Sequence, residues 1–236
     1  MFCGICPSCL KGREPYCYQS FEANFGGSRL DSTNAIRRNK EEIHGHFFGQ
    51  SSFSTYALAT ERNVVKVPKD VPLEILGPLG CGFQTGAGAV LNSLKIKPDS
   101  RVAIFGVGSV GLASVMASKI VNASTIIVVD VNDERLQLAK ELGATDTINI
   151  KSTNVAEEVK KITGYGVDYM LEITGRPEML KLGVSILAPL GTAAQIGGAP
   201  AGTEASIDMT SLLLGRTVMG IAQGDSIPQL FIPQLI

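Results

Sequence analysis

The sequence has 236 residues, 44% of them hydrophobic, so it is long and apolar enough to fold around a core rather than remain disordered. Its 21 lysines and arginines nearly balance 22 aspartates and glutamates, and its densest basic cluster, Arg37, Arg38 and Lys40, is too small for a nucleic-acid-binding face. We therefore expect no nucleic-acid partner.

No apolar stretch is long enough for a membrane span. The best candidate, residues 110–121, contains Lys119 and is followed by Asn122, so it falls short of the ~20 apolar residues that a spanning helix needs. The opening residues Met1, Phe2 and Cys3 begin neither a basic leader nor the apolar core of a signal peptide. These features predict a cytoplasmic protein with no membrane partner.

Residues 1–82 are rich in glycine, serine and asparagine and have few periodic segments. The best strand candidates there are residues 53–58 and 63–67, and Pro68 and Pro72 end this region. We expect a first domain of loops and short strands.

Four of the five cysteines lie near the start of the chain. They are Cys3, Cys6, Cys9 and Cys17. Without a signal peptide, this crowding favours metal binding over disulfides. Four thiolates complete the tetrahedral shell of zinc and leave no position for substrate, so the site should be structural. The alternative is four reduced cysteines without a metal.

After Gly82, apolar runs alternate with helical patterns. The predicted strands are residues 102–106, 125–130, 147–150, 167–173, 192–197 and 217–221. Between them, Val155, Val159 and Ile162 share one helical face, as do Leu138 and Leu142 before a stop at Gly143. This alternation predicts an α/β fold with a doubly wound parallel Rossmann sheet over residues 83–225. Residues 226–236 would begin the return to the first domain.

The segment Gly106-Val-Gly-Ser-Val-Gly111 follows the first of these strands and opens a helix. In this context Gly106 permits a tight turn, Gly108 lets the backbone approach a pyrophosphate, and Gly111 lets the helix pack on the strand. The helix N-terminus attracts the pyrophosphate anion. The pattern predicts a dinucleotide site.

Asp130 ends the second strand, where a carboxylate can accept hydrogen bonds from the adenosine ribose hydroxyls. It would repel a 2′-phosphate, and Val131 follows rather than arginine, so the pattern favours NAD over NADP. The alternative is a glycine-rich turn with an incidental aspartate at a strand end.

The cysteine cluster, the step Gly80-Cys81-Gly82, the glycine-rich turn and Asp130 occur in the order typical of one family. With them the chain resembles the zinc-dependent medium-chain alcohol dehydrogenases. Residues 44–53 and 224–229 are similar to the aryl (benzyl) alcohol dehydrogenase branch. The resemblance implies a partial GroES-like catalytic domain, mostly strand and coil, that carries the cysteine lobe and precedes the Rossmann domain.

The resemblance also implies two zinc sites and an NAD site. The four clustered cysteines would hold structural zinc, and Cys81 matches one protein ligand of the catalytic zinc. Together, the glycine-rich turn and the resemblance imply cofactor-binding roles for Thr85, Gly106, Gly108, Val110, Gly111, Asp130, Arg135, Thr174, Arg176, Ile196, Gly197, Gly198, Ile221, Ala222 and Gln223.

Family members begin earlier and end later than this sequence, so we expect it to be truncated at both ends and to lack two of the three catalytic zinc ligands. His44 and His46, the only histidines, match a surface loop that leads to a strand and are more suited to hydrogen bonding than to ligation. The family assignment predicts NAD-dependent oxidation of a primary alcohol, aromatic or allylic, to its aldehyde.

Two alternatives stay open. The chain could be a non-catalytic module for NAD binding and dimerisation, or a zinc-free quinone reductase relative, although the latter needs neither clustered cysteines nor Cys81. Residues 205–209 and 217–221 correspond to the sheet edge through which family members pair, so we expect a homodimer or a tetramer of such dimers.

Overall fold

A computed structural model describes residues 1–49, 55–57 and 59–236. Its strands are β1 (Ile36–Arg38), β2 (Glu41–Ile43), β3 (Arg101–Phe105), β4 (Thr125–Asp130), β5 (Asp146–Asn149), β6 (Val167–Glu172), β7 (Leu187–Gln195) and β8 (Thr217–Gly220). Its α-helices are α1 (Pro7–Leu10), α2 (Ser20–Phe25), α3 (Gly82–Gly88), α4 (Ser109–Ile120), α5 (Asp133–Leu142), α6 (Val155–Thr163), α7 (Pro177–Ser185), α8 (Met209–Leu212) and α9 (Pro228–Leu235). None of these described helices is both long and apolar enough to span a bilayer.

The chain divides into two units. The first comprises Met1–Pro72 and Ile227–Ile236, and the second comprises Leu73–Ser226. The sequence pattern places this boundary later, after residue 82. The difference arises because the 3-10 turn Gly77–Gly80 runs into α3, where the Gln84 side-chain amide donates a hydrogen bond to the Gly80 carbonyl at 2.7 Å.

The first unit contains little regular structure. Strands β1 and β2 form an antiparallel hairpin, in which Arg37 pairs with Glu42 at 3.2 Å. Asn39 lies in the hairpin turn with φ 60°, a conformation that asparagine tolerates better than most residues.

The sequence predicts two strands in this region, at residues 53–58 and 63–67. The prediction of a strand at residues 53–58 falls mostly outside the described residues. The prediction of a strand at residues 63–67 is wrong. Val64 has an extended backbone, but residues 64–67 pair with no strand in the described parts of the chain, and the Val64 carbonyl instead accepts a hydrogen bond from the Gln229 side chain at 3.4 Å. An extended segment becomes part of a sheet only when a neighbour completes its hydrogen bonds.

The second unit contains a six-stranded sheet in the order β5-β4-β3-β6-β7-β8, with every adjacent pair parallel. The central strand β3 is apolar throughout its buried part, Val102, Ala103, Ile104 and Phe105, as expected for a strand covered on both faces. This order is that of the Rossmann fold, and the predicted fold class is confirmed.

The crossover helices begin and end at residues that the sequence makes recognisable. Asn132 and Asn154 cap α5 and α6 with their side chains, and Gly143 ends α5 with φ 129°. Val155 and Val159 are buried, as predicted.

Leu138 and Leu142 lie one turn apart on α5, but only Leu142 is half-buried. Leu138 is 42% exposed, whereas Leu136 and Ala139 are buried. The helix is charged on several sides, so its apolar periodicity is weak and the two leucines chosen from spacing did not define the packed face.

Candidate functional site

The turn after β3 is built from the three glycines of the predicted dinucleotide motif. Gly106 has φ 89°, which glycine adopts without strain, and its N–H donates to the Val129 carbonyl at 2.8 Å. A Cβ atom at Gly111 would lie 2.1 Å from the Gly106 carbonyl oxygen, whereas one at Gly108 would meet no described atom within 4 Å. Gly111 is needed for packing, and Gly108 leaves open space beside the backbone.

Helix α4 begins immediately after this turn. Gly108 is its N-cap residue, and no side chain in the described parts of the chain caps the helix there. The free amides of a first helical turn carry partial positive charge and bind anions. The turn and the helix start therefore fit a pyrophosphate group.

Asp130 lies at the carboxyl end of β4 and is 9% exposed. Its Oδ2 atom accepts a hydrogen bond from the Val107 N–H at 2.8 Å, and its Oδ1 atom accepts from the N–H groups of Val131 and Asn132 at 2.7 and 3.0 Å. A carboxylate has about four acceptor positions, so Oδ2 retains one for a ligand hydroxyl.

These elements enclose a cleft of about 530 Å³ in the second unit. Seven residues that the sequence assigned to the cofactor contribute to its wall: Gly106, Gly108, Val110, Asp130, Arg135, Thr174 and Arg176. Ser109, Ile150 and Met179 line it as well and were not anticipated. The volume lies in the range of roughly 300–1,000 Å³ typical of ligand pockets.

The other predicted cofactor residues are not among the described residues that line this cleft. Gly111 belongs to α4 and packs against the Gly106 carbonyl, and Thr85 is buried in α3. The remaining six follow the carboxyl ends of β7 and β8: Ile196, Gly197, Gly198, Ile221, Ala222 and Gln223. Parallel strands end at a common edge, so these residues lie on the same edge of the sheet as the glycine-rich turn. Their contact with a cofactor stays a prediction.

Sequence reasoning missed Glu172, the last residue of β6. It is fully buried, and its carboxylate accepts hydrogen bonds from the N–H groups of Thr174 and Gly175 at 2.7 and 3.0 Å. The available signal was a carboxylate between the apolar residues Leu171 and Ile173 of a predicted strand.

In the first unit, the four cysteines near the start of the chain come together. The Sγ atoms of Cys3, Cys6, Cys9 and Cys17 all lie within 4.8 Å of one another, and all four are free thiols. The Cys6–Cys9 and Cys3–Cys9 sulfur distances are 3.5 and 4.0 Å. Zinc–sulfur bonds of about 2.3 Å in a tetrahedron place sulfurs about 3.8 Å apart. The cluster therefore fits zinc.

The surroundings of the thiols shift their pKa values in both directions. Burial raises the pKa of the Cys9 thiol to about 12, whereas a hydrogen bond from the backbone of Tyr18 lowers the pKa of Cys6 to about 6. The N–H groups of Cys3 and Gln19 donate to Cys17 Sγ at 3.3 and 3.4 Å. Such hydrogen bonds stabilise thiolates, which are the form that zinc binds.

Arg62 contacts the cysteine lobe, the segment of residues 3–17 that carries the four clustered thiols. Its guanidinium donates to the Cys3 carbonyl at 2.8 Å and packs against Gly4, where a Cβ atom would lie 2.3 Å from Nη1. Gly4 has φ 80° and Gly12 has φ 69°, so both supply turns around the cysteines.

Cys81 belongs to the second unit, where it precedes α3, and its side chain is exposed. Within the described residues, the four-cysteine cluster is the only group of three or more His, Cys, Asp or Glu side chains close enough to share an ion. Cys81 therefore has no complete ligand set around it in these parts of the chain.

His44 and His46 follow β2. Ser28 Oγ and His44 Nδ1 form a hydrogen bond of 2.9 Å, and the His46 N–H donates to the Gly27 carbonyl at 3.2 Å. Burial lowers the pKa of His46. Neither histidine joins the described cysteine cluster.

The chain is similar to known dehydrogenases in sequence. The family described as zinc-binding dehydrogenase matches residues 109–235. A geraniol dehydrogenase of Castellaniella defragrans is 41% identical, with 99% of this chain and 64% of the relative covered. A probable alcohol dehydrogenase of a Pseudomonas species is 40% identical, with 95% and 72% covered.

The chain is also similar to solved structures of dehydrogenases. An alcohol dehydrogenase zinc-binding domain protein from Burkholderia ambifaria has a TM-score of 0.94 and 53% identity, and benzyl alcohol dehydrogenase from Acinetobacter calcoaceticus has a TM-score of 0.94 and 47% identity. Each match covers 100% of this chain and 64% of the other, so the chain spans less than two thirds of these relatives. The sequence similarity and the shared fold together confirm the resemblance, and the chain belongs to the zinc-binding dehydrogenase family.

Proposed function

We propose that this chain is the NAD(H)-binding part of an alcohol dehydrogenase and carries a structural zinc in its cysteine lobe. One observation carries the proposal. The open space beside Gly108, the uncapped start of α4 and the carboxylate of Asp130 all face one cleft at the carboxyl ends of parallel strands. Open α/β sheets bind dinucleotides at this position.

Each group in the cleft has a distinct role in holding NAD. The amides at the start of α4 bind the pyrophosphate, and Gly108 lets it approach the backbone without a side chain in the way. The free acceptor position on Asp130 binds a ribose hydroxyl. When bound, NAD supplies the acceptor carbon for hydride transfer.

Asp130 favours NAD over NADP. Its carboxylate is held by three backbone N–H groups, and no arginine stands beside it at Val131. A 2′-phosphate would bring a second negative charge against a fixed first one. Arg135 also lines the cleft and offers a cation to the adenosine half of the cofactor.

The proposed substrate is a primary alcohol that is aromatic or allylic. The support comes from the names of two relatives, a geraniol dehydrogenase and a benzyl alcohol dehydrogenase, which match nearly the whole chain at 41% and 47% identity. The reaction would be oxidation of this alcohol to its aldehyde with reduction of NAD.

A catalytic zinc does not fit the described residues. Such a zinc needs three protein ligands and an open position. Of the ligands that the family resemblance implies, the described residues contain Cys81 alone, and no other possible ligands lie close enough to complete the set. We therefore expect this chain alone to bind NAD and one zinc with little or no turnover. A second candidate function, an inactive NAD-binding and dimerisation module, follows from the same observation.

The four clustered thiols count against the quinone reductase alternative, because a zinc-free enzyme has no use for them.

We also propose that the chain forms a homodimer, or a tetramer of dimers, through the β8 edge of the sheet. This edge is unpaired in the six-stranded sheet of the described residues.

The proposal is tested by titrating the purified chain with NADH and NADPH while following nucleotide fluorescence, with zinc counted by mass spectrometry. We expect saturable NADH binding, weaker NADPH binding and one zinc per chain. Reduction of NAD with benzyl alcohol, geraniol and ethanol is then measured. A wild-type chain that does not bind NADH would contradict the proposal, and rapid turnover would exclude the inactive module.

A further inference from the structure

Glu172 is a buried carboxylate at the centre of the loops around the cleft. Oε1 accepts hydrogen bonds from both the N–H and the hydroxyl of Thr174, and Oε2 accepts from the Gly175 N–H at 3.0 Å. The side chain is fully buried, and no ion pair among the described residues includes it. A buried charge is tolerated only when hydrogen bonds replace its water, so the short turn after β6 is shaped around this carboxylate.

Thr174 transmits this constraint to the glycine-rich turn. Its hydroxyl donates to Glu172 and accepts a hydrogen bond from the Arg176 N–H at 3.3 Å, which fixes the rotamer. Its methyl group then lies against Gly106, where a Cβ atom would be 2.9 Å from Thr174 Cγ2. Thr174 and Arg176 both line the cleft. The position of this wall therefore depends on the hydrogen bonds that Glu172 accepts.

The backbone of Glu172 also holds the next loop. Its carbonyl accepts hydrogen bonds from the N–H groups of Ile196 and Gly197 at 2.8 and 3.0 Å. The two loops touch through their backbones, since a Cβ atom at Gly175 would lie 2.1 Å from the Gly198 carbonyl oxygen. Moving the Gly175 turn would therefore move the residues that follow β7.

We propose that Glu172 is a positioning residue for the dinucleotide cleft. It does not line the cleft itself, and it acts by holding the Thr174 turn against Gly106. This inference rests on the proposed binding of NAD(H).

The chain offers a matched control on the same strand. Asp168 is also a carboxylate of β6 that accepts backbone and side-chain hydrogen bonds, but its partner is Arg101, at the start of β3 and at the end of β6 remote from Glu172. Neither Asp168 nor Arg101 lines the cleft within the described residues. D168N therefore measures what loss of a β6 carboxylate does to the fold alone.

The test compares wild type, E172Q and D168N by NADH fluorescence titration and by thermal unfolding. A glutamine keeps one acceptor oxygen but turns its NH₂ group towards either the Gly175 N–H or the Thr174 N–H, so one of these two hydrogen bonds is lost and the turn must shift. We expect E172Q to raise the NADH Kd roughly tenfold or more, and D168N to leave it within about twofold, even where both lower the melting temperature.

A double-mutant cycle with T174V shows whether Glu172 acts through Thr174. Valine keeps the shape of threonine but removes the hydroxyl, and Thr174 is exposed enough that the variant should fold. We expect E172Q and T174V together to weaken NADH binding no more than the stronger single variant. If E172Q does not fold, the test uses two variants of Thr174. T174V must have a higher NADH Kd than wild type, and T174S, which keeps the hydroxyl, must have an NADH Kd between those of wild type and T174V.

Two results would overturn the inference. One is an E172Q chain that unfolds at a lower temperature yet binds NADH like wild type, since Glu172 would then only support the fold. The other is fully additive effects of E172Q and T174V. A wild-type chain that fails to bind NADH refutes instead the proposed function, so the two failures are distinguishable.

Discussion

The N–H of Val107 donates a hydrogen bond to the Asp130 carboxylate at 2.8 Å, and both groups are buried. This bond joins the glycine-rich turn after β3 to the end of β4, so the groups proposed to bind the pyrophosphate and the ribose are held at a fixed separation. Asp130 thus shapes the turn as well as offering an acceptor to the ligand.

Substitution D130N should change cofactor choice. We expect wild type to bind NADH more tightly than NADPH by on the order of tenfold, since a fixed carboxylate repels the 2′-phosphate. The amide removes the charge, so NADH binding should weaken while the NADPH-to-NADH ratio of Kd values approaches one. Equal affinity for both nucleotides in wild type would refute this account.

Alanine substitutions at two glycines should separate binding from folding. At Gly108 a Cβ atom meets no described atom within 4 Å and φ is −74°, so G108A should fold normally but bind NADH roughly tenfold more weakly, because the methyl group occupies the ligand's space. At Gly111 the Cβ atom would lie 2.1 Å from a carbonyl oxygen, so G111A should lose about 1–3 kcal/mol of stability.

Thermal unfolding and NADH titration of both variants check this contrast. A G108A chain with wild-type affinity would show that the ligand does not approach this part of the backbone.

Removal of zinc should affect the first unit and spare the nucleotide cleft. Cys9 is buried, its sulfur lies 3.5 and 4.0 Å from those of Cys6 and Cys3, and the lobe around it has little apolar core, so metal binding and folding should be linked. We expect C9S or prolonged chelation to remove the single zinc and lower the unfolding temperature. NADH affinity should persist, since every residue of the cleft wall lies in the second unit.

Metal analysis, circular dichroism and NADH titration measure these effects. Wild-type protein that holds no zinc after purification without chelators would contradict the assignment.

Stability should depend on pH through Asp168. Burial alone raises the pKa of this carboxyl, but the hydrogen bonds and charge of Arg101 outweigh burial, so the pKa lies below its ordinary value. A carboxylate of lowered pKa stabilises the fold above the unfolded-state pKa of about 3.9 and loses this effect as pH falls through the folded-state pKa.

We therefore expect D168N to unfold roughly 2–4 °C below wild type at pH 7, with the difference shrinking below about pH 4. Unfolding temperatures across this range measure it. A difference that does not depend on pH would show that the charge of Asp168 has no role.

The proposed dimer should depend on residues 205–209, which the family resemblance assigns to the pairing region together with residues 217–221. Met209, at the start of α8, is 81% exposed, and pairing would cover this apolar side chain. We expect sedimentation of wild type as a dimer or tetramer at micromolar concentration and a smaller species for M209E. A monomeric wild type would rule out the assembly.

The sheet was largely predictable because its central strands β3 and β4 are nearly continuous apolar runs, but the start of β7 was not predictable. Strand β7 begins at Leu187, whereas the pattern placed it at Thr192. Leu187 pairs with Val167, after which the register shifts, and Leu190 has φ 65°. A strand whose early part is irregular loses the alternation that periodicity detects.

The site was predictable where adjacent residues carry the chemistry and not where distant ones meet. Gly106, Gly108 and Asp130 follow from motif spacing, and the structure brings them to one cleft. The role of Glu172 depends on a turn that contacts Gly106, far away in the sequence. Periodicity reports which residues are buried but not which loops they hold.

The division of the chain has a genetic consequence. The second unit is one uninterrupted stretch, Leu73–Ser226, whereas the first combines residues from both ends. Two cuts in the coding sequence would therefore transfer the whole nucleotide cleft, with Glu172 and every loop it holds, into another gene. No two cuts do the same for the first unit without carrying the cleft along, so recombination can exchange cofactor binding more readily than it can exchange the whole first unit.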